Sequence, residues 1–205
     1  MADITPELVK QLRDKTNASM LECKKALVEA QGNLENAETI LRKKGITKAE
    51  GKADRATKEG VIASYIHMAG RIGVLIEVNC ETDFVAKNDI FKDFVKDLSL
   101  HIAASAPKYV RREEVPQAAI EKEREIAKDL LAQEMSKGKP KPQNVIDQIV
   151  NGRVDKFLAG VCLNEQAYIK NPEQNISDFV KSKIAELGEN IQVRRFVRYA
   201  VGEEL

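Results

Sequence analysis

One run constrains this chain more than any other. Residues 72–79, IGVLIEVN, are apolar on both faces of the strand they would form. Such a strand belongs in the middle of a sheet. The preceding VIASYIH, residues 61–67, is also β-rich, and MAGR between the two supplies a turn around Gly70, so residues 61–80 read as a β-hairpin. LNEQAYIK, residues 163–170, reads as a short strand. The last strand is NIQVRRFVRYAV, residues 190–201, which alternates Ile191 and Val193, then Val197, Tyr199 and Val201. Its alternation slips at Arg194 and Arg195, the signature of a bulge.

The rest of the chain has helical period. Thr5 caps a first helix, with Pro6 at its first position, Glu7 in its first turn and Ile4, Leu8 and Leu12 along one stripe. Ser19 and Glu22 form a capping box for a second helix that ends at Gly32. Asn33 caps a third that ends at Gly45. Helices this short must pack on one another, so residues 1–45 form a three-helix domain. Residues 46–60 read as a linker; Lys44, Lys48, Lys52 and Arg55 would share a face if the helix continued, giving a solvated or docking stripe. Residues 61–205 form the core. There, Asn88 caps a helix to about Ala106 with Phe91, Phe94, Val95, Leu98 and Ile102 on its apolar face. A helix from about Pro116 to Lys137 carries Ile120, Ile126, Ala127, Leu130 and Leu131 near one side. KGKPKP breaks it, and a partner runs from Gln143 to Val161. The pair predicts a projecting αα-hairpin, a coiled coil, over about residues 116–162. Ser177 starts a last helix, which Gly188 ends. Hairpins and mixed order together predict an α+β fold with an antiparallel sheet.

Composition excludes several activities. Net charge is +1, leaving no global field for a polyanion, and with 5% aromatics and no Trp there is little to stack bases on, so direct nucleic-acid binding is not expected. Cys23, Cys80 and Cys162 are odd in number, far apart and without CxxC spacing, which points to a reducing, cytoplasmic setting rather than disulfides or zinc. No apolar run approaches the roughly 18 residues of a membrane span, and the N-terminus has no signal-peptide core. His67 and His101 are the only histidines; no ligand set has metal spacing, and no phosphate-cradling glycine motif follows a strand. No catalytic residue, metal or cofactor is expected.

One segment retains chemical interest: CETDFVAKND, residues 80–89, at the end of the expected central strand. Glu81 and Asp83 are two apart and would face the same way in an extended chain, as a paired-carboxylate site needs. Alternatively, Asp83 caps a turn and Phe84 packs inward. A third reading makes Phe84 an exposed wedge beside an acid, the mark of a protein-contact site. An RNA-associated adaptor using the basic linker with Arg194, Arg195 and Arg198 is a further alternative, and a hydrolase using Glu81 and Asp83 a more distant one.

NCETDFVAKNDIF, preceded by GRIGVLIEV, resembles the signature of the bacterial elongation factor Ts family. TPELVKQLRDKTNASMLECKKALVEAQGNLENAETILRKKG is similar to that family's N-terminal three-helix, ubiquitin-associated-like (UBA-like) domain, and GENIQVRRFVRYAVGE to its last core strand. The resemblance spans nearly the whole chain and implies a non-enzymatic regulator, a guanine-nucleotide exchange factor for elongation factor Tu in translation elongation. It implies that Thr82, Asp83, Phe84 and Val85 enter the partner near its Mg²⁺ site, Phe84 as a wedge and Asp83 as a disruptor of polar contacts, and that Arg13, Met20, Leu21 and Lys24 anchor the partner. The chain resembles the short form, which implies homodimerisation. It departs from the family in having Thr16, Asn17, Ala18 and Ser19 where T-G-A-G is usual, and Gln166, Ala167 and Tyr168 where Gln-Pro-Phe is usual.

Overall fold

The computed structural model describes residues 4–16, 18–136 and 142–203; Asn17 and most of the KGKPKP turn lie outside the described residues. Helices α1 (Pro6–Thr16), α2 (Met20–Glu29) and α3 (Leu34–Glu50) lead into strands β1 (Glu59–His67) and β2 (Ile72–Cys80). Then come a one-turn helix α4 (Asp83–Lys87), α5 (Asp89–Ser105), α6 (Gln117–Ser136) and α7 (Gln143–Val161). Strands β3 (Ala167–Tyr168) and β4 (Asn171–Asn175), helix α8 (Ile176–Leu187) and β5 (Gln192–Ala200) complete the chain. The architecture is the expected α+β one. An antiparallel sheet runs in the order β1-β2-β5, with the doubly apolar β2 in the centre, and β3 pairs antiparallel with β4. The chain divides into two compact units. The first holds residues 1–62, 77–95 and 178–193; the second holds 63–76, 96–177 and 194–205.

In the first unit, the N-terminal helices follow their capping signals. Thr5 Oγ1 accepts from Leu8 N, Ser19 Oγ from Glu22 N, and Asn33 Oδ1 from Asn36 N at 2.9 Å. Val9, Leu12, Cys23, Ala26, Leu27 and Ala37 form the core they share. The third helix does not stop at Gly45. It runs on to Glu50, because Lys44 pairs with Glu29, Lys48 with Glu22, and Ala49 is buried. The basic stripe of the expected linker is therefore engaged within the chain, and Lys52 Nζ likewise donates to Gly188 O. Arg42 and Lys181 tie α3 and α8 together through Asp178 and Glu50. Phe94 meets Phe179 of α8 edge to face, with centroids 5.1 Å apart, and Phe91 and Phe94 are fully buried.

In the second unit, α6 and α7 form the expected helical hairpin. The seam, however, is narrower than the apolar composition implied. Ala127, Leu131 and Val150 are buried together, and Val115, Val154, Leu158 and Cys162 form a second cluster. Ile126 and Leu130 each precede a seam residue by one position, about 100° round the helix, and so face water. Strand β4, NPEQN, was not expected, since its residues have poor strand propensity; it exists only as the partner of β3. Beside it, fully buried His101 stands with Nε2 3.0 Å from Gln166 Oε1, while Nδ1 accepts from Ile169 N at 3.4 Å. Burial holds this imidazole below its usual pKa. Gln166 in turn donates to Gly160 O, and Tyr168 donates its hydroxyl to Asp97, a bond phenylalanine could not make. Strand β5 is continuous, but its inward parity changes near Arg194 and Arg195: Val193 is buried, whereas Val197, Tyr199 and Val201 are exposed.

Two glycines should respond oppositely to alanine. Gly60 has φ +147°, and a Cβ there would sit 2.2 Å from Val78 O, a clash with backbone. A Cβ at Gly45, mid-helix, would meet Ala185 Cβ at an ordinary 3.5 Å. Gly60→Ala should destabilise by more than about 1 kcal/mol, and Gly45→Ala should stabilise by up to about 1 kcal/mol. Urea unfolding of the two variants against wild type measures both.

Candidate partner-binding site

Strand β2 ends inside the protein at Cys80, and the chain turns outward at once. The Cys80 thiol is buried and donates to Thr82 O at 3.1 Å. Burial pushes its pKa up to about 11, with Glu189 adding to the shift. It is a packing residue, not a nucleophile. Thr82 caps α4: its backbone is extended, and its Oγ1 accepts from Val85 N at 3.4 Å. Ala86 anchors α4 in the interior. Val85 is half-buried, and Phe84, between these anchors, is 82% exposed. Of the three readings of CETDFVAKND, the inward-packed Phe84 is thus excluded.

The paired-carboxylate reading fails on hydrogen bonding. Glu81 Oε1 accepts from Asn190 N at 2.6 Å and lies 3.6 Å from Arg55 Nη1. Asp83 pairs with Lys87 at 2.7 Å, an i,i+4 contact along α4. The Lys87 ammonium holds the Asp83 carboxyl below its usual range, and Asp83 in turn raises Lys87. Each acid has a separate structural engagement. Among the described residues, no group of three histidine, cysteine or acidic side chains could hold a metal.

A residue the sequence reading passed over completes the turn. Glu189, just beyond α8, accepts through Oε2 from Glu81 N at 3.1 Å and from Thr82 N at 3.0 Å, and its Oε1 accepts from the Thr82 hydroxyl at 2.6 Å. The only signal in the sequence was its place after Gly188, in a segment of polar residues at the mouth of a strand.

The four N-terminal residues expected to bind a partner are all exposed. Arg13 lies in the last turn of α1, and Met20, Leu21 and Lys24 lie in the first half of α2. Met20 and Leu21 are 47% and 63% exposed, large apolar side chains in the first turn of a helix whose opposite side is core. Val28, seven residues after Leu21 and 60% exposed, extends the same side and was not singled out from the sequence. The alternative RNA site is weakened, because Arg198 donates to Ala103 O and pairs with Glu203, while Arg55 faces Glu81. No helix among the described residues is long and apolar enough to cross a membrane.

A pinned, solvent-exposed aromatic and a second exposed apolar patch are the features of a surface suited to contact with another protein. Comparison with known proteins agrees. The family model described as elongation factor TS matches residues 2–203. Elongation factor Ts of Carboxydothermus hydrogenoformans is 55% identical over 202 residues, 98% of this chain and 91% of the relative. That of a Thermoanaerobacter species is 56% identical over 200 residues, covering 98% and 96%, and that of an Anaeromyxobacter species 49% identical over 205, covering 100% and 91%. The chain belongs to the elongation factor Ts family and is accordingly a nucleotide exchange factor, not an enzyme.

The thiol at the root of the turn gives a direct check on this geometry. With a pKa near 11, Cys80 is almost wholly protonated at pH 8. Ellman's reagent should label Cys80 in the native protein at least about 100-fold more slowly than in urea; mass mapping of the labelled cysteine reads this out.

Proposed function

We propose that this chain accelerates GDP release from elongation factor Tu by inserting Phe84 near the partner's Mg²⁺ site while the N-terminal helices hold the partner. The observation that carries the proposal is the exposure of Phe84 on a capped, anchored turn. A nucleoside diphosphate is held by a phosphate cradle and its Mg²⁺. Separating the elements that support the metal weakens both. Phe84 supplies the volume of the wedge. Asp83 brings a carboxylate to the edge of the site, where it competes for the partner's polar groups; its present partner, Lys87, is itself exposed and can be exchanged at low cost. Thr82 and Val85 hold the turn's shape through the cap. Arg13, Met20, Leu21 and Lys24 contribute affinity, apolar in the centre and cationic at the rim. All of this takes place in the cytoplasm.

A second copy of this chain is also proposed as a partner. In the second unit, Ile66, Met68, Leu75, Val197, Tyr199 and Val201 are all exposed on or beside the strands. An apolar face of that kind is favourable to bury against its own symmetry mate.

Release of a fluorescent GDP analogue from elongation factor Tu tests the first reading. Wild type should accelerate it strongly, and Phe84→Ala should lose about tenfold or more at saturation, about 1.4 kcal/mol of transition-state stabilisation. When EDTA removes Mg²⁺ beforehand, the gap between wild type and Phe84→Ala should shrink, since the wedge then has no metal to displace. For the second reading, light scattering should give a dimer mass for wild type, and Leu75→Glu should shift it towards monomer.

A further inference from the structure

Phe84 is exposed, so packing does little to fix where its ring points. A five-residue helix does not fix it either, since a single turn has no stability of its own. The direction of the ring must come from whatever holds residues 81–85. Within the first unit this is a reciprocal exchange between two acids. The Glu189 carboxylate takes the backbone N–H groups of Glu81 and Thr82, and the Glu81 carboxylate takes the backbone N–H of Asn190. Asn190, 2% exposed, extends the exchange by donating through Nδ2 to Ala53 O at 3.1 Å and Arg55 O at 2.8 Å. The turn that carries Phe84 is thereby tied to the chain that follows α3.

The Thr82 hydroxyl is the pivot. It has one proton and two lone pairs. Its proton goes to Glu189 Oε1 at 2.6 Å, which leaves a lone pair to accept from Val85 N. Glu189 therefore sets the rotor that caps α4. Three donors converge on one carboxylate, and the carboxylate offers no proton in return. A glutamine of the same shape cannot replace it. If its amide oxygen served the hydroxyl, its NH₂ would face the two backbone N–H groups as donor against donor. If the oxygen served the two N–H groups, the NH₂ would meet the hydroxyl, which would have to turn a lone pair toward it and give up the charge-assisted bond by which its proton fixes the rotor.

We propose that Glu189 is a positioning residue for nucleotide exchange: with Glu81 it clamps the Thr82 cap and so fixes the direction in which Phe84 is presented. This rests on the reading of Phe84 as the wedge and goes beyond it by assigning the cause of its preorganisation. The clamp acts on the efficiency of the wedge and leaves the N-terminal docking patch untouched. Its loss should lower the saturating rate of release rather than the concentration of exchange factor needed for half-saturation.

The test is a double-mutant cycle on the full-length protein, using the fluorescent GDP release assay. Glu189→Gln should lower the saturating rate about tenfold and change the half-saturating concentration less than about twofold. In a Phe84→Ala background the same change should cost less than about twofold, because the residue acts through Phe84. A purely structural role would lower the folded fraction and affect both backgrounds alike. Thr82→Ser keeps the hydroxyl and should retain most activity, whereas Thr82→Val should behave like Glu189→Gln; these variants also serve if Glu189→Gln folds poorly by thermal unfolding. Glu189→Gln with wild-type rates, or with the same loss in both backgrounds, overturns the clamp while leaving the wedge intact. A wild type that does not accelerate release overturns the exchange reading and the clamp together.

Discussion

An aromatic ring held in water forgoes the stabilisation that burial would bring, about 1.5–3 kcal/mol for a phenylalanine side chain. Phe84 is held in that condition by the turn that carries it. Cys80 and Ala86 are buried on either side, so the turn cannot lift away. It cannot collapse inward either, because the N–H groups of residues 81, 82 and 85 are fixed by Glu189 and by the Thr82 hydroxyl. Polar bonds do here what packing does elsewhere. A buried residue is located by its neighbours, whereas an exposed one is located only by its backbone.

That arrangement suits an exchange factor. Acceleration of nucleotide release requires tighter binding to the nucleotide-free partner than to the nucleotide-bound one, and linkage makes the relation reciprocal. A patch that binds both states equally contributes affinity but no exchange. On the proposed mechanism the two roles are divided. Met20 and Leu21 supply affinity on a helix whose inner side is core, and Phe84 supplies the difference between states. A ring already held in its working direction loses little freedom on insertion, so more of its contact energy is left to distort the partner.

The parts of the fold that were legible in the sequence are those whose residues meet their own local demands. β2 announced itself by being apolar on both faces, and the N-terminal helices by Thr5, Ser19 and Asn33, which cap as their types suggest. The hairpin was legible as two helices around a Gly/Pro break, but not in its seam, because Ile126 and Leu130 match the buried Ala127 and Leu131 in character and differ only in angle. What escaped was set by distant partners. α3 outlasts Gly45 because of ion pairs to Glu22 and Glu29 on another helix. β4 is a strand only because β3 lies beside it. In β5 the slip at Arg194 and Arg195 was visible, but which side faced inward on each half was not.

The site divides in the same way. TDFV is legible as a feature, and an exposed phenylalanine is one of the three readings its residues allow. Glu189 was not legible, since it lies more than a hundred residues away and an acid after a helix-ending glycine looks like any solvated loop residue. The acids near Cys80 suggested catalysis because a strand end lined with carboxylates is where catalysis is often found. The distinction lies in what each acid is bound to. A paired-carboxylate site needs both acids turned toward one shared space. Here Glu189 accepts three hydrogen bonds from its own chain, Glu81 accepts from a backbone N–H beside a guanidinium, and Asp83 is matched with Lys87. Glu81 and Asp83 therefore do not share a site, and the bonds that Glu81 and Glu189 make to backbone N–H groups hold the shape of the turn. The engagements that remove the paired-carboxylate reading are the same ones that make the turn rigid.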